Sequence, residues 1–88
     1  MISQVTEDFW KSFSRLPEPI KAQARKSYRL WKANPNHPGL HFKRIHAQEA
    51  LYSVRISKGW RVLGLRDNDI MTWFWVGTHA DYEKLTKR

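Results

Sequence analysis

Leu51-Tyr52-Ser53-Val54-Arg55-Ile56-Ser57-Lys58-Gly59-Trp60-Arg61-Val62-Leu63-Gly64-Leu65-Arg66, with Ile70-Met71-Thr72-Trp73-Phe74-Trp75-Val76-Gly77 beyond it, is the stretch that decides the fold. It is crowded with β-branched and aromatic residues, which fit a pleated, half-buried surface. Residues 50–57, 60–66 and 70–77 therefore read as three strands. Ser57-Lys58-Gly59 separates the first two and places glycine where a three-residue hairpin loop wants positive φ. Asp67-Asn68-Asp69 is the second turn.

Side chains alternate across a strand, so each face of a hairpin collects residues of one parity. A three-residue loop sets Ile56 against Trp60, Val54 against Val62 and Tyr52 against Gly64, a coherent apolar face. A two-residue loop pairs Ile56 with Arg61 and mixes polar with apolar on both faces. The same parity sets Val62 near Phe74 and Trp60 near Val76. The face offered to the rest of the chain is then Tyr52, Val54, Ile56, Trp60, Val62, Ile70, Phe74 and Val76. The other face carries Leu51, Ser53, Arg55, Arg61, Leu63, Leu65, Met71, Trp73 and Trp75, and His79 follows at that parity.

Arg55 should thus stand directly opposite Arg61. Like charges in that position cost up to about 1 kcal/mol, and arginine cannot shed its charge. A phosphate held by two guanidinium forks removes the conflict. So would a carboxylate from Glu49 or Asp81, or splaying into solvent. Trp73 and Trp75 read either as platforms for stacked bases or as side chains packed under a loop or partner helix.

Outward from the strands, residues 2–6 read as a short strand. Thr6 is an N-cap, with Glu7 and Asp8 in the first turn behind it. Phe9, Trp10, Phe13 and Leu16 recur at helical spacing up to Pro17. Pro17-Glu18-Pro19 opens a second helix with Ile20, Ala24, Ser27 and Trp31 on one face and a basic stripe of Lys21, Arg25, Arg29 and Lys32 on another. Asn34-Pro35 ends it, because a residue before proline avoids the helical region. Residues 35–49 read as a basic loop anchored by Leu40, Phe42 and Ile45. Thr78 caps a last helix running to about Lys87. The fold class is α+β: an N-terminal helix hairpin on an antiparallel sheet of three to four strands, closed by a short C-terminal helix.

Sixteen Lys and Arg against eight Asp and Glu give a formal charge of +8. Residues 9–66 hold 13 of these bases and only two acids, Glu18 and Glu49. A basic middle of this kind draws in polyanions, nucleic acid before an acidic protein. The 88 residues fit one domain, residues 1–88. A chain this small buries only about 60% of its unfolded surface. It has no cysteine for a disulfide or thiolate site, but five Trp, four Phe and three Tyr. His37, His41 and His46 are irregularly spaced and lack a carboxylate pair, so neither metal nor cofactor is expected. No run of about 18 apolar residues is present to span a membrane. Residues 1–8 lack a basic segment followed by an apolar one, so the chain reads as cytoplasmic.

Nearly the whole chain resembles the RelE/ParE toxin superfamily in the order and spacing of its segments. Those segments are Leu16-Pro17, Asn34-Pro35, Leu40-His41-Phe42-Lys43, Leu51-Tyr52-Ser53-Val54-Arg55-Ile56, Gly59-Trp60-Arg61-Val62-Leu63 and Val76-Gly77-Thr78-His79-Ala80-Asp81-Tyr82. In its ribosome-dependent nucleases an arginine follows the glycine-aromatic pair opening the middle strand, and Arg61 matches that position. An imidazole or basic group follows the last strand, with an aromatic a few positions on. Gly77-Thr78-His79-Ala80-Asp81-Tyr82 looks most like the YafQ-type branch, although Tyr82 stands closer to His79 than the usual spacing.

The resemblance implies a type II toxin that cuts mRNA in the ribosomal A site, without metal, and is neutralised by a cognate antitoxin. Its catalytic set would be His79, Arg61, Arg55 and Tyr82. RNA would be bound by Lys43, Arg44, His46, Lys58, Trp73 and Trp75, with Lys21, Arg25, Arg29 and Lys32 docking on ribosomal RNA. The antitoxin is expected over Leu63, Leu65 and Met71. ParE relatives that inhibit gyrase by binding share the fold without the nuclease residues, so the alternative is a non-nucleolytic gyrase inhibitor.

Overall fold

The computed structural model describes residues 1–46 and 48–87; Ala47, within the expected loop, and Arg88, at the end of the expected domain, lie outside the described residues. Strand β1 (Ile2–Val5) leads into Thr6, whose hydroxyl accepts from the Phe9 N–H at 3.1 Å and caps α1 (Glu7–Ser14). Helix α2 (Glu18–Ala33) carries Pro19 in its first turn, where a missing N–H costs nothing, and stops at Asn34 before Pro35. A tight helical turn (Pro38–Leu40) and the two-residue strand β2 (Lys43–Arg44) follow. Strands β3 (Leu51–Ser57), β4 (Trp60–Asp67) and β5 (Ile70–Thr78) form the expected meander. Thr78 then caps α3 (His79–Thr86) by accepting from the Asp81 N–H at 3.1 Å.

Among the described residues the sheet has five strands in the order β1-β5-β4-β3-β2. The α+β fold is as expected, with the short strand read at residues 2–6 present as β1 and one addition, β2, inside the segment read as a loop. Strand β1 pairs parallel with β5, and β2 pairs antiparallel with β3, so the sheet is mixed. Helix α1 packs on β5 and α2 on β3. One buried cluster joins Trp31, Leu40, Val54, Met71 and Trp73; a second joins Leu16, Ile56 and Val76.

The register agrees with parity in the middle of the sheet and departs from it at two bulges. Tyr52 faces Gly64, Val54 faces Val62 and Arg55 faces Arg61, as expected. Ser57, rather than Ile56, faces Trp60. Ile56 is the extra residue of a bulge, the loop shrinks to Lys58-Gly59, and no glycine among the described residues adopts positive φ.

The second bulge matters more. Val62 faces Val76, Leu63 faces Trp75 and Gly64 faces Trp73, leaving Phe74 as the extra residue. An inserted residue reverses parity for everything beyond it. Met71 and Trp73 therefore turn to the helix side, where they are 0% and 3% exposed, and Phe74 joins neither buried cluster. Gly64 permits this packing, since a Cβ there would come within 2.6 Å of the Trp73 ring. The placement of Trp73 and Met71 on the arginine face is thereby corrected.

Candidate functional site

On the side of the sheet away from α1 and α2, Arg55 and Arg61 meet across β3 and β4. Arg61 is half-buried, and its Nη1 donates to the carbonyls of Ser57 at 2.9 Å, Lys58 at 3.4 Å and Trp60 at 3.0 Å. These bonds anchor the guanidinium on the hairpin turn and use only one of its nitrogens, leaving the Nε and Nη2 edge for a bidentate acceptor. Burial, and then the neighbouring Arg55, hold the Arg61 pKa below its ordinary value, while Tyr82 acts in the opposite sense. Arg61 nevertheless stays cationic near neutrality.

Helix α3 supplies the other half. Its first residue, His79, donates its backbone N–H to the Gly59 carbonyl at 2.8 Å, which pins the helix to the β3–β4 turn beside Arg61. Tyr82 comes nearly one turn later, its ring centroid 5.5 Å from that of His79. His79 Nδ1 lies 3.4 Å from Glu83 Oε1. Neither Arg55 nor Arg61 forms an ion pair with a carboxylate among the described residues. Neutralisation of the arginines by Glu49 or Asp81, the alternative open from sequence, does not occur. The one group of the cluster that meets a carboxylate is His79. Sequence reasoning overlooked Glu83, although its spacing of four from His79 on a helix was the available signal.

The other expected RNA contacts divide. Lys43 sits opposite Ser53 and so shares the sheet face of Arg55, with an exposed side chain that no described bond restrains. Lys58 is exposed at the turn itself. Trp75 stands opposite Leu63 and lies over Gly77, where a Cβ would come within 2.5 Å of its ring; it lines a cleft with Ser12, Arg15 and Asp81. Arg44 turns inward on its own loop, donating from Nε to the carbonyls of His46 at 3.0 Å and Glu49 at 3.1 Å. His46 Nδ1 accepts from the backbone N–H groups of Gln48 at 3.2 Å and Glu49 at 3.1 Å, which makes it a turn-former. Trp73 is removed from the set: it is core, and its Nε1 donates to Ser3 Oγ at 3.1 Å.

Lys21, Arg25, Arg29 and Lys32 lie on α2, across the sheet from the arginine pair. Lys21 pairs with Glu18 at 3.3 Å, and Lys32 donates to the Met1 carbonyl at 3.3 Å. Arg25 stands over the Phe13 ring at 5.3 Å. Arg25 and Arg29 border an apolar groove of about 510 Å³ between α1 and α2, with the exposed rings of Trp10 and Tyr28 at its sides and Val54, Val62 and Trp73 among its lining. The expected antitoxin surface is not available as imagined, because Leu63 is 2% and Met71 0% exposed within the chain itself; only Leu65, at 44%, is open.

A helix hairpin on a mixed sheet, with a basic hairpin meeting the last helix, is the architecture expected from the resemblance to the RelE/ParE toxins. Residues 18–84 match the family described as the ParE-like toxin domain, and the chain belongs to that family. No curated protein matches it. Among solved structures it is similar to YafQ from E. coli strain BL21(DE3), at 12% identity and a TM-score of 0.73, covering 91% of this chain and 94% of that one. It is also similar to the RelB-RelE antitoxin-toxin complex from Methanococcus jannaschii, at 15% identity and TM-score 0.71, covering 93% and 96%. The E. coli DinJ-YafQ complex matches at 12% identity and TM-score 0.66, covering 90% and 93%. At these identities the likeness establishes the fold.

Among the described residues no helix is long and apolar enough to cross a membrane.

Proposed function

We propose that this chain is the toxin of a type II toxin–antitoxin system and cleaves mRNA on the ribosome without a metal ion. The observation that carries the reading is the junction of the β3–β4 hairpin with α3, where two guanidiniums free of carboxylates lie beside an imidazole and a phenol. RNA can be cut by its own 2′-hydroxyl. The O2′–P bond forms, the P–O5′ bond breaks, and the products are a 2′,3′-cyclic phosphate and a 5′-hydroxyl. The reaction needs a base for the 2′-hydroxyl proton, cations on the phosphorane and an acid for O5′. His79 supplies the imidazole that serves as the acid–base group. Arg61 and Arg55 hold the scissile phosphate. Tyr82 stacks a base or passes a proton, and Lys43, Lys58 and Trp75 hold the flanking strand.

The test is expression in bacteria followed by mapping of mRNA 5′ ends. Codon-phased cuts that vanish in Arg61→Ala and His79→Ala variants are the expected result. The ParE-like description of the family favours a second reading, inhibition of gyrase by binding. Growth arrest with intact mRNA and altered plasmid supercoiling would replace the first reading with the second.

An antitoxin partner is supported by the neighbours solved as toxin–antitoxin complexes. We place its docking in the groove between α1 and α2, where an apolar helix face bearing carboxylates would bury Trp10 and Tyr28 and meet Arg25 and Arg29. Joint replacement Arg25→Glu and Arg29→Glu should weaken antitoxin binding at least about 10-fold, mostly through association rate, since rim charges steer encounter. Titration at two salt concentrations reads this. Unchanged antitoxin affinity with lost ribosome binding would return the stripe to ribosomal RNA.

A further inference from the structure

We propose that Glu83 is a positioning residue for His79, fixing the proton on Nδ1 so that Nε2 keeps a lone pair for the 2′-hydroxyl proton. The proposal rests on the nuclease reading of the same site and adds to it which ring nitrogen reacts and in which direction the proton moves.

His79 opens α3 and Glu83 lies four residues on, so the two are neighbours on one helix face. His79 Nδ1 and Glu83 Oε1 are 3.4 Å apart, within the range of catalytic hydrogen bonds in sites without substrate, which are often long. A neutral imidazole has one N–H and one lone pair, and the partner of one nitrogen decides the state of the other. An ionised carboxylate only accepts, so the nitrogen facing it carries the proton. The other groups of the cluster do not supply this: Arg55 and Arg61 are donors without an acceptor.

Nor is His79 occupied in building the helix end. Capping is done by the Thr78 hydroxyl, and the N–H that His79 gives to the Gly59 carbonyl is its backbone one. The ring is held by Glu83 on one side and Tyr82 on the other, with no structural duty of its own at the cap. An exposed pair of this kind adds little to stability. Its effect is therefore expected in the tautomer and the rate.

The experiment compares the intact protein with Glu83→Gln and Glu83→Leu. Histidine ring ¹⁵N shifts are recorded at a pH where imidazole is neutral, and ribosome-programmed mRNA cleavage is measured alongside. Wild type should show His79 protonated at Nδ1. Glu83→Gln, whose amide oxygen still accepts, should keep that tautomer and most of the rate. Glu83→Leu should shift toward the Nε2-protonated form and lose about 10-fold in kcat with KM unchanged, the scale typical of removing a partner that orients a reactive group. Melting temperatures should stay together. A wild-type ring protonated at Nε2, or a leucine variant with wild-type tautomer and kcat, overturns the proposal. If the wild type cuts no mRNA, the nuclease reading falls, while the shifts still decide the pairing.

Discussion

Replacing Arg61 by alanine is expected to slow mRNA cleavage by about 10²–10³-fold, the cost of losing one preorganised group that stabilises developing charge. The side chain is fixed before substrate arrives, because three backbone carbonyls of the hairpin hold its Nη1. Its free edge is a planar fork that matches two phosphate oxygens. Arg61→Lys keeps the charge but offers a point donor on a mobile stem, so it should recover only part of the rate. The same carbonyl bonds give the alanine variant a small structural cost, about 1 kcal/mol. A chain of this length should then melt several degrees lower, roughly 4–8 °C per kcal/mol. A rate loss no larger than that stability loss explains would remove Arg61 from the reaction. Single-turnover cleavage and thermal melting on the same preparation separate the two.

Trp73→Ala is expected to remove a large part of the stability of the protein. Truncating a core tryptophan costs about 3–5 kcal/mol, and a domain of this length is held by about 4–13 kcal/mol. Trp73 is 3% exposed, packs edge-on against Trp31 with centroids 5.1 Å apart, and lies on Gly64. Simple strand parity makes the opposite forecast: a folded variant with weaker RNA binding. Urea denaturation decides between them. Trp75→Ala is the companion measurement, since Trp75 lies across the sheet, half-exposed, and should behave as Trp73 was expected to.

The contrast between these neighbouring tryptophans marks where the fold stops being legible in the residues. Arg55 and Arg61 were readable as a facing pair because Val54 with Val62 and Tyr52 with Gly64 fix that register through an apolar face. The caps were readable because Thr6 and Thr78 announce their helices with a hydroxyl at the right place. Past Gly64 the pattern fails, because one bulge at Phe74 reverses the side chains that precede it on β5, Met71 and Trp73 among them. Two clues were present. Gly64 interrupts a strand, and a glycine there often marks a bulge or a close approach. Trp73-Phe74-Trp75 also breaks alternation with three large rings in a row. Strand β1 left no comparable clue to its partner, since its pairing with β5 depends on residues far away in sequence. His46 looked like a ligand for RNA from its neighbours Lys43 and Arg44, but the backbone N–H groups beside it claim its ring.

That parallel pairing bears on when the protein becomes dangerous. Ile2 is matched with Ile70 and Val5 with Trp73, so the first strand waits until β5 has been synthesised before it finds a neighbour. Long-range closures of this kind are slow. The segment that brings in His79 and Tyr82 is made later still. A nascent chain, or one cut short before α3, has the hairpin arginines but no imidazole beside them. On the proposed nuclease reading, the translating machine would be spared by the product it is still making, and the interval between synthesis of α3 and its docking is the time an inhibitor has to act first.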